Sequence, residues 1–489
     1  MDLISTIIYK KEFEDTMYKF KQFITESTNI DYVIDVLKYA IKGSNYEQKL
    51  YIVGGFVRNE LLGEDPKDID IVVEGGPDAG MDAAKFIAKK LGVYKAESNP
   101  VLFPTYGTAK LSIPVNGKSF DVEFVAPRKE RYEPGSRKPF VSPGTLRDDA
   151  LRRDFTINAL FKNLMTGEIL DLSGRGLKDL KSKVLNTTGD ADWIFSEDPL
   201  RILRAVRFTL KYNLKLPLTV IRAIKKAAPS LATISAERIQ DELKKIILLN
   251  QPSKAIRLFK ITGILDQILP ELKSLDKLKQ NKFHTKDALG HTLDVLDNTP
   301  ANFYERLAAL FHDIGKAATR TEKEGKIQFI GHAEVGSDLT KAIMKRLKYS
   351  NDDIEKVAKL VKYHMELKSS GKEAEGLSEK TLRKFIYRVS SELEPILNLI
   401  HADNISHTPE ASMPKQIEKV REKIATLNIE EILNARSVLD GNEIMALGAK
   451  GKLIGEIKNR ILTKTIENPG FTKEQAINLA QNMIKDKGQ

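Results

Sequence analysis

Two sets of residues in this 489-residue chain have the types and spacing for chemistry. Asp68 and Asp70 stand two apart at the head of the apolar run Ile69-Asp70-Ile71-Val72-Val73. On a strand both side chains leave the same face, and two carboxylates so placed repel unless a cation joins them. Asp121, in the later run Phe120-Asp121-Val122-Glu123-Phe124-Val125, is a candidate third oxygen ligand. Such a set suits Mg²⁺, which takes a few carboxylates together with water and substrate phosphates. A polar strand end facing solvent would give the same Asp pair. Just upstream, Gly54-Gly55 separates the run Tyr51-Ile52-Val53 from a helical segment, Phe56 to Leu62. A glycine pair there lets the backbone approach a ligand, and a helix N-terminus favours phosphate. A tight turn alone would also explain the pair. Asp198 and Arg201 are spaced i, i+3, so a helix would set an acceptor beside a donor fork. That pattern complements cytosine and adenine, each with an amine beside a ring acceptor, and opposes the carbonyl of uracil or guanine. A site built on such hydrogen bonds can reject the wrong base by roughly 10⁴. A surface ion pair is the bland reading of the same spacing.

The second set is histidine-rich. Of seven histidines, six fall between His284 and His401, and His312-Asp313 are adjacent among apolar Leu310, Phe311 and Ile314. Imidazole mixed with carboxylate suits Mn, Fe, Ni, Co or Zn, and a bound water made acidic there would attack a phosphoester.

The elements that must position these groups are legible in outline. Residues 1 to about 45 read as amphipathic helix, with Tyr32, Val33, Val36, Leu37, Ala40 and Ile41 at helical spacing. Strand-like runs at 51–53, 69–73, 109–113 and 120–125 alternate with helical segments, as in a small α/β layer. Arg128 to Pro143, with prolines, a glycine and five basic residues, reads as a charged mobile loop. After about Gly174 strand signals nearly vanish and helices are expected to the end. The chain has no cysteine, which excludes disulfides and thiolate metal sites and suits a reducing cytoplasm. Its net charge of +11 fits a polyanionic partner. No apolar stretch reaches the length of a membrane span, and the first residues do not read as a signal peptide, so a cytoplasmic location is expected.

Several motifs resemble, in order and spacing, the class II CCA-adding enzyme and bacterial poly(A) polymerase family. Gly54-Gly55-Phe56-Val57-Arg58 through Asp68-Ile69-Asp70 is similar to its first motif, and Arg152-Arg153-Asp154-Phe155-Thr156-Ile157-Asn158-Ala159-Leu160 to its second. Glu197-Asp198-Pro199-Leu200-Arg201-Ile202-Leu203-Arg204-Ala205-Val206-Arg207-Phe208 resembles its nucleobase-reading helix, and Ile234 to Ile239 the next neck motif. The chain departs from the pattern at Asn59, where the family commonly has Asp, and at Trp193-Ile194-Phe195, where a basic residue often precedes Phe. His291, His312-Asp313, His332, His364 and Asp403 follow the order of an HD-superfamily phosphohydrolase, with Phe311 to Lys316 its most telling segment. His284 and His407 are poorer ligand candidates. Leu439 to Met445 and Ile454 to Ile457 resemble the family's closing segment, without the usual Pro before Ile454-Gly455.

The resemblance implies an α+β chain: a polymerase-β-like head with a mixed sheet, then an all-helical neck, HD domain and tail. The implied divisions are an N-terminal helical extension 1–47, the nucleotidyltransferase head 48–165, a neck 166–275, an HD domain 276–410 and a tail 411–489. It implies Asp68 and Asp70 as catalytic Mg²⁺ ligands, with Asp121 the candidate third catalytic carboxylate. Gly54, Gly55, Arg58, Arg152, Arg153, Asp154, Asn158, Asp198, Arg201, Arg204 and Arg207 would hold the nucleotide. The expected reaction is template-independent addition of C, C and A to the tRNA 3′ end from CTP and ATP. An HD phosphohydrolase acting on 2′,3′-cyclic phosphate or phosphomonoesters would accompany it, using a transition metal. A poly(A) polymerase shares the head motifs, but the HD set disfavours it; a CC-only enzyme is disfavoured by the segment Arg128 to Val141. An RNA-binding HD hydrolase with an inactive head is opposed by the intact Asp68, Asp70, Asp198 and Arg201.

Overall fold

The computed structural model describes residues 29–66, 68–95, 99–115, 118–131, 140–280, 286–368 and 371–487. The chain forms two compact units that divide between Ala227 and Ala228. Most of the expected N-terminal helix, and His284, lie outside the described residues.

The first unit is built on a seven-stranded sheet. Its strands are β1 (Leu50–Val53), β2 (Ile69–Val73), β3 (Val101–Phe103), β4 (Thr108–Val115), β5 (Lys118–Val125), β8 (Leu160–Asn163) and β9 (Ile169–Asp171), in the order β3-β4-β5-β2-β1-β8-β9. Every neighbouring pair is antiparallel except β2 and β5. That parallel pair needs a crossover, which the helix Ala79–Lys90 begins. It also sets register: Ile69 faces Val122 and Asp70 faces Glu123. β1 is buried along its whole length between β2 and β8, which explains its uniformly apolar sequence. Tyr51, Val53, Val72, Leu146, Ala150, Ala159 and Phe161 close a core cluster of this unit. The helix Asn29–Ile41 buries Val33, Leu37, Ala40 and Ile41, the apolar stripe read from sequence.

Three expectations need correction here. Arg128 to Pro143 is not a plain loop: β6 (Arg128–Arg131) and β7 (Phe140–Pro143) pair as an antiparallel ribbon, and 132–139 lie outside the described residues. The sheet does not stop at residue 165, since β9 extends it into the segment expected to be helical neck. The second unit is helical but not wholly so: β10 (Thr321–Lys323) and β11 (Lys326–Gln328) form a small hairpin. Its turn residues Glu324 and Gly325 both have positive φ, 49° and 71°, as a two-residue hairpin loop requires. Three-residue strands are too short to show a period in sequence.

In the second unit the helix Phe303–Phe311 is the central element, with Leu307 to Phe311 fully buried. Asn302 caps it, accepting from the Tyr304 and Glu305 amides. Buried Arg306 donates to the carbonyls of Thr299, Ile247 and Leu249, tying this helix to the end of the helix Ala236–Ile247. Around it stand the helices Ala288–Asn298, His332–Arg346, Asn351–Tyr363 and Leu393–Ile405. A separate cluster of Leu439, Ile444, Ala449, Ile457, Ile461, Ala476 and Ala480 forms the core of the C-terminal segment. Among the described residues no helix is long and apolar enough to cross a membrane.

Candidate functional site

In the head, Gly54 makes the turn between β1 and the helix Gly55–Leu61 at φ 69°, a conformation that glycine adopts freely. A Cβ at Gly54 would lie 3.3 Å from Arg153 Nη1, and one at Gly55 would lie 3.5 Å from Arg58 Nη2, so two guanidiniums lie against the turn. Asp70 sits on β2, and exposed Asp68 immediately precedes that strand. Burial raises the Asp70 pKa, Glu123 and Asp68 raise it further, and Arg153 opposes them. Three carboxylates thus converge where a cation would relieve their repulsion. The third is Glu123, set opposite Asp70 by the parallel register, and not Asp121. Asp121 is engaged elsewhere: Lys110 Nζ lies 2.6 Å from its Oδ2 and the Ser112 hydroxyl donates to its Oδ1 at 2.6 Å. Those two hydrogen bonds hold its pKa below the usual value.

The arginines of the second motif share one buried partner that sequence reading missed. Arg152 Nε donates to Asp149 Oδ1 at 2.8 Å, and Arg153 Nη2 to Asp149 Oδ2 at 2.8 Å. Burial alone would raise Asp149; Arg153 and Arg152 outweigh it and hold it low. Arg153 Nη1 also donates to the Asn158 carbonyl at 3.4 Å. Asn158 bridges two further site residues, accepting from Arg58 on Oδ1 and donating from Nδ2 to Asp154 Oδ1 at 2.9 Å. Arg204 Nε completes the chain at Asp154 Oδ2, 2.8 Å away. Asp154 is deeply buried, which would raise its pKa, but Arg204 and Asn158 hold it down. The Arg58 guanidinium lies over both the Phe208 and Tyr212 rings, at 5.0 and 4.6 Å from their centres, and those two rings stack on each other at 6.0 Å. Arg207 lies 4.3 Å from the Phe208 ring. Asn59 Oδ1, at the position departing from the family pattern, accepts from Arg58 Nη2 at 2.8 Å and from the Tyr212 hydroxyl at 3.1 Å.

Asp198 and Arg201 do not share a helical face. The helix Ala191–Glu197 ends before Asp198, which is extended (φ −142°, ψ 96°), and the helix Leu200–Lys211 begins after Pro199. Proline disfavours a helical conformation in the residue before it. Asp198 Oδ1 instead accepts from the Leu200 amide at 3.2 Å, satisfying the new helix end. The Arg201 guanidinium donates to Glu197, the Ile194 carbonyl and the Arg152 carbonyl, the last at 2.9 Å.

In the second unit all six predicted ligands converge. His291 Nε2 lies 3.0 Å from Asp403 Oδ1 and 3.8 Å from Asp313 Oδ2. His312 Nε2 is 3.1 Å from Asp313 Oδ2; His332 Nε2 is 3.5 Å from Asp313 Oδ1 and 3.3 Å from His364 Nε2. His312, His332 and His364 each turn Nδ1 to the carbonyl three residues back, Ala309, Phe329 and Val361. A carbonyl only accepts, so Nδ1 carries the proton and Nε2 faces the centre. Gly315 permits the assembly, because a Cβ there would lie 2.2 Å from the His332 carbonyl oxygen. His312 Nε2 is buried without a well-aligned hydrogen bond, as an atom reserved for a ligand would be.

Among the described residues, three overlapping groups bring metal-capable atoms within 4.8 Å: His291, His312 and Asp313; His291, Asp403 and His407; Asp313, His332 and His364. His407, a poorer candidate by sequence, therefore joins the cluster. Burial would raise Asp313 and Asp403; His312 and Lys316 hold the first well below its usual range, and Lys368 and His291 the second. Burial and the neighbouring His312 and His332 push His364 well down, and burial pushes His407 down to about 4. Burial pushes His332 down as well, whereas burial would lower His312 but Asp313 and Asp403 raise it, so a divalent metal would have to displace a proton held between His312 and Asp313. Both Lys316, which closes the segment singled out in sequence, and Lys368, which carried no signal beyond its charge, touch these carboxylates.

Comparison with known proteins identifies the segments that carry these residues. Residues 50–186 match the poly(A) polymerase head domain, 213–275 the probable RNA- and SrmB-binding site of polymerase A, and 291–399 the HD domain. The chain is 31% identical to the A-adding tRNA nucleotidyltransferase of Deinococcus radiodurans, over 64% of this chain and 74% of that protein. It is 29% identical to the CC-adding tRNA nucleotidyltransferase of Thermus thermophilus, over 87% and 91%. It is also 29% identical to the multifunctional CCA protein of Xanthomonas campestris, over 83% and 95%. The fold matches the Bacillus stearothermophilus CCA-adding enzyme in complex with CTP, with a TM-score of 0.65 over 95% of this chain and all of that one, at 20% identity. With its head, RNA-binding and HD segments in that order, the chain belongs to the tRNA nucleotidyltransferase and poly(A) polymerase family.

Proposed function

We propose that this enzyme adds C, C and A to the 3′ end of tRNA from CTP and ATP. The observation that carries the head reading is the convergence of Asp68, Asp70 and Glu123 beside the Gly54-Gly55 turn. Magnesium held there would activate the RNA 3′-hydroxyl and neutralise charge on the departing pyrophosphate. Arg58 and Arg153, lying against the turn, are placed for the triphosphate, and the buried partners described above fix their direction. Asp198 and Arg201 flank the start of the helix Leu200–Lys211, where they would meet the base edge. The net charge of +11 suits tRNA phosphates.

The HD centre supports a second activity, hydrolysis of 2′,3′-cyclic phosphates or phosphomonoesters. A divalent transition metal bound there would supply an acidified water. His291, His312, Asp313, His332, His364 and Asp403 would hold it, with His407 adjoining. That centre also favours the tRNA enzyme over a poly(A) polymerase. Incubating the protein with tRNA ending before C-C-A, and with each labelled nucleotide in turn, tests the reading. Addition of two C and one A is expected. Long A tracts would make it a poly(A) polymerase, and arrest after C-C a CC-adding enzyme.

A further inference from the structure

Asp313 and Asp403 are both almost wholly buried, and a carboxylate so placed is costly unless a cation stands beside it. Each has one lysine ammonium. Lys316 Nζ lies 2.7 Å from Asp313 Oδ2, and Lys368 Nζ touches Asp403 Oδ2. The two lysines are held differently. Lys316 also donates to Gln280 Oε1 at 2.6 Å and lies 5.4 Å from the centre of the Phe329 ring. Among the described residues Lys368 has a single side-chain partner, Asp403.

Both lysines border a cavity of about 980 Å³ that opens over the histidine cluster and is also lined by His332, Asp403 and His407. Of the other cations on its wall, Lys372 Nζ donates to the Glu410 carbonyl at 2.8 Å, Arg388 pairs with Glu366, and Lys362 Nζ lies 5.7 Å from the centre of the Tyr363 ring. Lys368 is therefore the cavity-facing cation whose one bond is to a metal-ligand carboxylate, and an ammonium on a flexible stem can leave such a bond by rotation.

We propose that Lys368 is a displaceable counter-ion. It neutralises Asp403 while the centre is free of metal, yields that carboxylate to an incoming divalent cation, and then offers its ammonium to a phosphate oxygen of the molecule in the cavity. This rests on the reading of the cluster as a metal centre. Displacing Lys368 weakens metal binding by the strength of its contact with Asp403. The same displacement turns a charge-compensating residue into a phosphate-positioning one only when the metal is in place, so the two ligands bind in order.

The test uses the full chain stripped by chelator, titrated with Mn²⁺ as wild type and as Lys368→Met, followed by inorganic phosphate on the Mn²⁺-loaded proteins. Removing the competing charge should tighten Mn²⁺ binding by about tenfold. The Mn²⁺-induced rise in Tm should also be larger in the variant, because its metal-free form keeps an uncompensated carboxylate. Phosphate should bind the loaded variant about tenfold more weakly than the loaded wild type. Wild type that binds Mn²⁺ while Lys368→Met binds it no tighter overturns the counter-ion role. Tighter Mn²⁺ with unchanged phosphate affinity overturns the phosphate role. Absence of Mn²⁺, Ni²⁺ and Co²⁺ binding in both proteins would instead bring down the metal-centre reading. If Lys368→Met does not fold even with Mn²⁺ present, Lys368→Gln, which also lacks the charge but can still hydrogen-bond, takes its place in the same titrations.

Discussion

Asp70 shows how much of the head site a single residue carries. Burial, Glu123 and Asp68 all disfavour its charged form, with Arg153 opposing, a repulsion that a bound cation would relieve. The Asp68–Asp70 spacing was legible in sequence because strand alternation is local. The third partner was not, since Asp121 and Glu123 share a face of β5 and only the parallel register tells which one meets Asp70. Asp121 is already paired with the Lys110 ammonium and hydrogen-bonded by the Ser112 hydroxyl, which leaves it little to offer a metal. Asp68→Ala, Asp70→Asn and Glu123→Gln should each lower nucleotide addition by about 10²–10³-fold, from a loss of several kcal/mol of charge stabilisation. Asp121→Asn should cost less than about tenfold. Single-turnover addition of CTP to a tRNA lacking its end measures both. Equal losses for Glu123→Gln and Asp121→Asn would remove the distinction between them.

At the level of elements, the motif around Asp198 was recognised but its geometry was misread. Counting i, i+3 treats Glu197 to Phe208 as one helix, whereas Pro199 divides it and leaves Asp198 extended at the junction. The residue thereby gains a structural duty, accepting from the Leu200 amide, besides any contact with a base. Asp198→Ala should lose both. Helix-end satisfaction is worth about 1 kcal/mol and would appear in thermal unfolding of the head. Selectivity would appear separately, as a fall in the ratio of CTP and ATP use to UTP use. A variant that slows all four nucleotides equally, with the stability loss present, would reduce Asp198 to a capping residue. The hairpin β10–β11 was illegible for a different reason, being too short for periodicity. The ribbon β6–β7 was hidden by its proline and charge content.

For the whole molecule, the two chemistries fall in different compact units, the carboxylate set before Ala227 and the histidine cluster after Ala228. That separation was visible in the sequence, because the histidines and the Asp-rich strands occupy different halves. What sequence could not supply was the closure of the second site, which depends on packing between distant helices. Gly315 lets the His332 carbonyl approach, and Asp403 arrives from a helix ninety residues beyond Asp313 (403 − 313 = 90). Asp313 is the node of this closure, within 3.8 Å of His291, His312, His332 and Lys316. Asp313→Ala removes the carboxylate shared by two of the three ligand groups. Metal content after reconstitution with Mn²⁺ or Ni²⁺ should fall, and hydrolysis of 2′,3′-cyclic phosphate should drop by at least about 10²-fold. Nucleotide addition should persist at close to the wild-type rate, because the head carboxylates and arginines draw no ligand from this cluster. Running metal analysis, the hydrolysis assay and the tRNA addition assay on one preparation decides the matter. Loss of addition together with hydrolysis would mean that the HD centre supports the head, whereas full metal content in Asp313→Ala would mean that Asp313 packs the core without holding an ion.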